Sequence, residues 1–173
     1  MAICPTRRLT IRTARTEDLP AIAQLLDEAG NWMRNHGITD QWPVRFPASD
    51  LETRVERGEL HIAYDHATPV GTFALDHHAD PEFWHDDPDG TVAGYLHRLA
   101  VARSHAGHGI GARLVDHASR LVADSGRPWL RLDCAKNNTR LHDYYRQLGF
   151  AHIASVDLPH RKSGALFQRP TSR

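Results

Sequence analysis

Three glycines at alternate positions, Gly107, Gly109 and Gly111, are the residues of this chain that most clearly indicate a chemical function. They follow an apolar run at 95–101 and precede a helical pattern in which apolar residues recur every three or four positions. A strand, a glycine loop and a helix in that order bring free backbone N–H groups and the positive end of a helix dipole to one point. Such a point binds phosphate, because glycine lets the backbone close on the ligand without an intervening side chain.

Two common phosphate-binding motifs agree with this loop only in part. The nucleotide P-loop needs Lys and then Ser or Thr after its last glycine, and residues 110–113 supply neither. The dinucleotide fingerprint tolerates Ala112 in place of its third glycine. Asp133 lies near the sequence separation at which that fingerprint has its ribose-binding acid. Residues 102–106, however, separate the strand from the first glycine. A nucleotide-dependent oxidoreductase stays open as an alternative.

The loop resembles the acyl-CoA loop of the GNAT superfamily of acyl-CoA-dependent N-acyltransferases. The resemblance depends on an apolar strand end, a short polar bend and the Ala-Gly-His-Gly-Ile-Gly run at 106–111. A second block, at 138–150, is similar to the family's closing helix, with Asn at its start and Tyr four residues before Gly-Phe. The chain departs from the family at Ala106, where Arg or Gln is usual. Affinity for a pyrophosphate would then depend on backbone amides, Arg103 and His108.

The resemblance implies a fold, a reaction and a set of ligand contacts. The fold is α/β (α+β), with a mixed, mostly antiparallel central sheet of six to seven strands and about four flanking helices. The reaction moves the acetyl group of acetyl-CoA to a primary amine of a small molecule by direct attack with general-base assistance; peptide and protein amines stay open. The alternative is a non-catalytic acyl-CoA-binding regulatory or sensor module. The implied acetyl-CoA contacts are Leu99, Ala100, Val101, Ala106, Gly107, His108, Gly109, Ile110, Gly111, Ala112, Asn138 and Tyr145.

Acetyl transfer from a thioester to an amine needs a proton acceptor, a donor for the thioester oxygen and a proton donor for the thiolate. A lysine-like amine is neutral about once in 2,500 molecules at pH 7, so a base is useful. His97, on the strand before the loop, is predicted to be that base, since imidazole titrates near neutral pH; Asp133 and a water chain are the alternatives. The resemblance assigns the oxygen's donor to a backbone N–H within 99–101, at a break in the strand, and the proton donor to Tyr145.

Candidate contacts to the acceptor are aromatic or acidic. Trp32 and Trp42 lie in an aromatic-rich connector at 31–47. In the resembled family this region lines the acceptor pocket. The alternative is that these large aromatic side chains cover the core. The tyrosine shares its strand face with His97, because alternate strand residues point the same way. The aspartate attracts a cationic amine or is a surface acid at a strand end. The predicted substrate residues are Trp32, Trp42, Tyr95 and Asp133.

Periodicity and turn residues predict alternating strands and helices, whose order argues for a sheet of mixed direction. Residues 76–90 are expected to form a solvated loop rather than a weak metal cluster. Phe83 and Trp84 in that loop either contact an apolar acceptor or belong to the core. Strands are expected at 9–14, 60–64, 70–75, 91–102, 129–135, 150–158 and 165–168, and helices at 16–30, at 49–57, at 110–125 and after an N-cap at Asn138.

Composition limits the remaining classes. A chain of 173 residues is expected to be a single N-acetyltransferase domain, 1–173, with its core at about 9–169. Basic and acidic residues number 21 each, so charge favours neither nucleic acid nor an anionic membrane. No apolar run suits a membrane span or a signal peptide, so a cytoplasmic protein is expected, and homodimers are common in the resembled family. Two cysteines and scattered histidines imply neither a disulfide framework nor a metal.

Overall fold

The computed structural model describes residues 9–39 and 41–171; Cys4 lies outside them. Short 3-10 turns at Thr16–Asp18 and Arg103–His105 accompany the helices and strands. All the predicted strands and helices are present. In chain order they are β1 (Leu9–Thr13), α1 (Leu19–Asn35), α2 (Ala48–Glu56), β2 (Leu60–Asp65), β3 (Thr68–Asp76), β4 (Ala93–Val101), α3 (Ile110–Asp124), β5 (Trp129–Ala135), α4 (Thr139–Gln147), β6 (Ala151–Ser155) and β7 (Ser163–Pro170).

The strands form one seven-stranded sheet in the order β1-β2-β3-β4-β5-β7-β6. Every neighbouring pair is antiparallel except β4 and β5, which are parallel. That parallel pair extends only from Ala93↔Trp129 to Tyr95↔Arg131. Because both strands continue after the pairing ends, a gap opens in the middle of the sheet. The predicted α/β sheet of mixed, mostly antiparallel direction is confirmed.

Helices cover both faces of the sheet. The apolar stripe of α3, which includes Leu114 and Val122, packs on one face with β4, β5 and β7. Residues of α1 and α2, such as Ile22 and Leu51, pack on the other face against β2 and Ala74 of β3. Close packing of α3 depends on a glycine, since a Cβ on Gly94 would lie 2.3 Å from Cγ2 of Val122. This packing holds the start of α3 beside the end of β4.

Helix α1 is longer than predicted. It continues to Asn35, because Gly30 keeps helical geometry and the left-handed residue that ends it is Gly37, with a φ of +76°. Trp32 therefore lies on a helix rather than in a connector. The expected end at Gly30 was wrong because glycine is tolerated inside a helix, at a cost of about 1 kcal/mol relative to alanine.

The loop between β3 and β4 is not simply solvated. Phe83 and Trp84 are buried in it and pack with Tyr95 and Leu166 in a third apolar cluster. Asp87 anchors the loop, accepting hydrogen bonds from the main chain of residues 91–93. The two aromatic residues belong to the core of the protein.

Candidate active site

The glycine loop joins β4 to the first turn of α3. Gly107 and Gly109 have φ values of +79° and +73°, which residues with a side chain rarely adopt. A Cβ on either would meet no atom within 4 Å, so the space in front of both is open. Gly109 directly precedes α3, whose first N–H groups lack partners within the helix. The loop thus has the conformation and the open space that a phosphate site requires.

Gly111 serves a different purpose. A Cβ there would lie 2.2 Å from the Tyr144 hydroxyl, so glycine lets that hydroxyl rest on the start of α3. Nearby, Ile110 is buried and Ala112 half-buried in the first helical turn, while His108 is exposed, with its Nδ1 3.1 Å from the Ala106 carbonyl oxygen. Sequence reasoning did not assign this role to Tyr144.

A cleft of about 480 Å³ opens where β4 and β5 separate, with residues 96–101 on one wall and 132–135 on the other. The Ala102 N–H donates to the Val70 carbonyl at 2.9 Å, so this residue's main chain faces β3. Because main-chain groups alternate along an antiparallel strand, those of Leu99 and Val101 face the cleft, and those of Ala100 face β3. An extended ligand can add to this edge as a further strand would.

A β-bulge interrupts β4 beside the cleft. The register against β3 shifts between Thr72 and Ala74, and Arg98 has a φ of +52°. The break lies at the residue just before the predicted range 99–101. The guanidinium of Arg98 lies over the Phe46 ring, 4.3 Å from its centroid, and pairs with Asp50. Sequence reasoning missed Arg98, since no residue pattern marked the bulge.

His97 lines the cleft with 31% of its side chain exposed. Its Nε2 lies 3.2 Å from Oδ2 of Asp76, a buried carboxylate at the end of β3. Asp76 also accepts hydrogen bonds from Arg54 Nη1 at 3.2 Å and from the His78 N–H at 3.0 Å. Burial raises the pKa of Asp76, but its contacts with His97, and then with the His78 N–H and Arg54, outweigh burial and lower that pKa to about 2. Asp76 is thus a carboxylate anion at neutral pH.

Asp133 faces the cleft from β5. His97 and Asp133 each lie two residues beyond the last paired residues, Tyr95↔Arg131, so they flank the gap on the same sheet face. The Asp133 carboxylate makes no hydrogen bond or ion pair with any residue that the structure describes. A half-buried carboxylate without a hydrogen bond or an ion pair suits a cationic ligand.

Tyr145 reaches the cleft from α4. Its ring packs against Phe150 and Phe167, and its hydroxyl has no hydrogen-bond partner among residues 9–39 and 41–171. Burial raises the pKa of Tyr145, so the phenol keeps its proton at neutral pH. Burial likewise raises the pKa of the Cys134 thiol to about 12, which makes this cysteine a poor nucleophile.

The predicted acceptor contacts fall into two groups. Trp32 and Trp42 line the cleft, and Trp32 packs against the Arg103 guanidinium and the His36 ring, each 4.2 Å away. Tyr95 does not reach the cleft. It is 1% exposed and its hydroxyl donates to Asp87 at 2.8 Å, so its prediction as a substrate contact disagrees with the structure. The buried loop after β3, which the sequence pattern did not indicate, is the physical reason.

Asn138 has the predicted capping role. Its Oδ1 accepts a hydrogen bond from the Leu141 N–H at 3.1 Å, in the first turn of α4. It also lines a neighbouring groove of about 900 Å³. The groove contains Arg103, Lys136 and Arg140, cations suited to an anionic ligand.

Residues 22–150 match the model of the acetyltransferase (GNAT) family. The chain belongs to the GNAT family. It is 31% identical over 145 residues to the uncharacterised N-acetyltransferase YesJ of Bacillus subtilis strain 168, covering 80% of this chain and 79% of YesJ. A GNAT-family acetyltransferase from Listeria monocytogenes has the same fold, with a TM-score of 0.78, 24% identity and 94% of each chain covered. The yncA protein of Salmonella typhimurium, solved with its cofactor acetyl-CoA, has a TM-score of 0.70 at 15% identity, over 95% of each chain.

Two features are absent from the described part of this GNAT chain. Among the described residues, no helix is both long and apolar enough to cross a membrane. Within 9–39 and 41–171, no group of three or more His, Cys, Asp or Glu residues could hold a metal ion.

Proposed function

We propose that this GNAT protein transfers the acetyl group of acetyl-CoA to a primary amine of a small molecule. The observation that carries the proposal is one cleft bordered by an unpaired strand edge, His97 and Tyr145, with the open glycine loop at the end of the same strand. Acetyl-CoA supplies an acyl group that is activated as a thioester.

Main-chain groups would make most of the hydrogen bonds to the CoA portion. The open space in front of Gly107 and Gly109 leaves room for the diphosphate at the first N–H groups of α3. The strand edge at Leu99 and Val101 suits the amide-containing pantetheine chain. Ala106 offers no side-chain donor at a position where the family usually has one. Arg103 lines both the cleft and the neighbouring groove, so it is the cation best placed to compensate.

Residues on the acceptor side of the cleft can bind an amine and remove its proton. The Asp133 carboxylate attracts the ammonium form, and His97 then accepts its proton, directly or through water. Trp32 and Trp42 supply apolar contact for the rest of the acceptor. With its proton removed, the nitrogen has the lone pair that forms the new C–N bond.

The reaction also needs a hydrogen-bond donor for the thioester oxygen and a proton donor for the departing sulfur. The cleft-facing N–H of Leu99 is the donor for the negative charge that develops on the thioester oxygen. Tyr145, which keeps its proton, donates it to the sulfur as the C–S bond breaks. The products are the N-acetylated amine and CoA with a free thiol. Direct attack agrees with the high pKa of Cys134, which disfavours an acyl-enzyme.

A panel of amines with acetyl-CoA tests this function. Release of the CoA thiol is followed by a thiol reagent, and the acetylated product by mass spectrometry. We expect thiol release that depends on both the enzyme and an amine. Acetyl-CoA binding without thiol release across alkyl, aryl, amino-acid, polyamine and aminoglycoside acceptors would instead support a non-catalytic acyl-CoA-binding module. Binding of a dinucleotide rather than CoA would support an oxidoreductase.

A further inference from the structure

We propose that Asp76 is a positioning residue for His97: its carboxylate keeps a proton on Nε2 and leaves Nδ1 as the nitrogen that accepts the proton of the amine. This inference rests on the proposed function, because it assigns an atom to the base of that reaction. It gives a role in the reaction to a carboxylate on β3, a strand that carries no other predicted site residue.

The first support is the environment of the imidazole. Nε2 of His97 is buried and makes no well-aligned hydrogen bond to a described residue. Oδ2 of Asp76 lies 3.2 Å from this nitrogen. A carboxylate anion accepts hydrogen bonds and donates none, so the nitrogen facing it carries the proton. In the neutral ring the other nitrogen, Nδ1, then holds the lone pair.

The second support is that Asp76 is itself held in place. It is 8% exposed, and its two oxygens accept from Arg54 and from the His78 N–H. Arg54 is in turn held by Glu59, whose Oε2 lies 3.0 Å from the same guanidinium nitrogen. The carboxylate therefore has little freedom to turn away from His97. Such outer partners fix the orientation and tautomer of a functional histidine.

Charged side chains lie on several of the elements packed around His97. Three of the neighbouring carboxylates are engaged with guanidinium groups, while Asp133 is not. When the ring accepts a proton at Nδ1, the adjacent Asp76 anion stabilises the resulting cation. The proton moves from the amine nitrogen to Nδ1, the Nε2 proton stays in place, and Asp76 remains ionised. The surrounding groups are Asp76 on β3, Arg54 and Asp50 on α2, Glu59 before β2, Arg98 on β4 and Asp133 on β5.

Glu59 offers a matched control. Glu59 and Asp76 are each 8% exposed, and both accept from Nη1 of Arg54. Only Asp76 lies against His97. Asp76→Asn and Glu59→Gln therefore remove the same kind of ion pair from one guanidinium, and differ in the contact with the imidazole.

The test compares both variants with the wild type on the best amine of the panel. We expect Asp76→Asn to lower kcat by about 10- to 100-fold, the size of effect known for such outer partners, with much less change in KM. We expect the acid limb of its pH–rate profile to move to lower pH, because a neutral amide no longer stabilises the imidazolium. In a His97→Ala background the same substitution should have no further effect on kcat. Glu59→Gln should keep the acid limb at its wild-type position and lower kcat much less than Asp76→Asn, because Glu59 does not contact the imidazole.

A readout independent of turnover is the tautomer of His97, from ¹⁵N chemical shifts assigned with the His97→Ala variant. We expect the Nε2–H form in the wild type and a mixture of tautomers in Asp76→Asn. Equal losses in both carboxylate variants, an unmoved acid limb, or an Nδ1–H tautomer in the wild type would overturn the inference while leaving acetyl transfer intact. Absence of transfer to any amine would overturn the proposed function as well.

Discussion

Replacing Gly109 with alanine separates the stability of the glycine loop from its ability to bind a ligand. At a φ of +73° a side chain is strained. The left-handed conformation costs a non-glycine residue about 1–2 kcal/mol, partly offset by the lower entropy of the unfolded chain, so we expect a loss of about 1 kcal/mol in stability. For a chain of this size that is a fall of roughly 2–4 °C in Tm.

The effect on binding should be larger than the strain alone explains. The new methyl would enter the open space in front of the loop, where we propose that the phosphate oxygens bind the main-chain N–H groups. Loss of one hydrogen bond to a charged group costs about 1.5–3 kcal/mol, which corresponds to a Kd for acetyl-CoA that is about 10- to 150-fold higher. Isothermal titration calorimetry measures this change directly.

Gly126 is the control for that experiment. It lies just beyond the opposite end of α3, with a φ of +79°, and a Cβ added there would meet no atom within 4 Å. Gly126→Ala should cost a similar amount of stability and leave the Kd for acetyl-CoA near its wild-type value. Equal affinity of the Gly109→Ala and wild-type proteins would refute the reasoning, and so would equal losses of affinity in the two alanine variants.

Three further predictions concern catalysis, acid stability and packing. Tyr145→Phe should lower kcat by about 10²-fold or more, with little change in the Kd for acetyl-CoA by calorimetry; an unchanged kcat would remove Tyr145 from the mechanism. Burial, and then the charge of His117, lower the pKa of His61 to about 4. The unfolded chain therefore binds this proton first as the pH falls from 6.5 to 4, and His61→Phe should remove up to about 3 kcal/mol of the stability loss that urea unfolding shows in that window. Gly94→Ala should cost about 1–3 kcal/mol in urea unfolding, because its Cβ would overlap Val122, and wild-type stability would contradict the packing described.

The order of strands and helices could be predicted because the relevant signals are local. The stripe of α3 and most of the alternation of β5 follow from side-chain periodicity, and Asn138 has the predicted capping role. Arg131 interrupts the alternation of β5, because it is buried. The end of α1 was misplaced because glycine often ends a helix in the left-handed conformation. Gly30 does not adopt that conformation, so the helix continues past it. Chain geometry, rather than residue type, decides whether such a glycine ends a helix.

The candidate site was predictable only where a motif marks it. The glycine loop and Tyr145 could be placed in the candidate site from the sequence because two blocks of residues resemble a known family. His97 was predicted from its position on the strand before the loop and from the chemistry of imidazole. The contact between Asp76 and His97 joins residues on neighbouring strands, and its register depends on a bulge that no residue pattern marked. The prediction for Tyr95 was wrong for a related reason. The loop between β3 and β4 packs over this residue and buries it away from the cleft, and no residue pattern indicated that packing.

The most direct test of the central claim is a crystal structure of the protein with CoA. The account predicts that the diphosphate accepts hydrogen bonds from main-chain N–H groups of the loop at 106–111. It also predicts that the pantetheine chain lies along Leu99 and Val101, with its sulfur within reach of the Tyr145 hydroxyl. A CoA molecule whose diphosphate lies away from that loop, or whose thiol lies outside the cleft between β4 and β5, would contradict it.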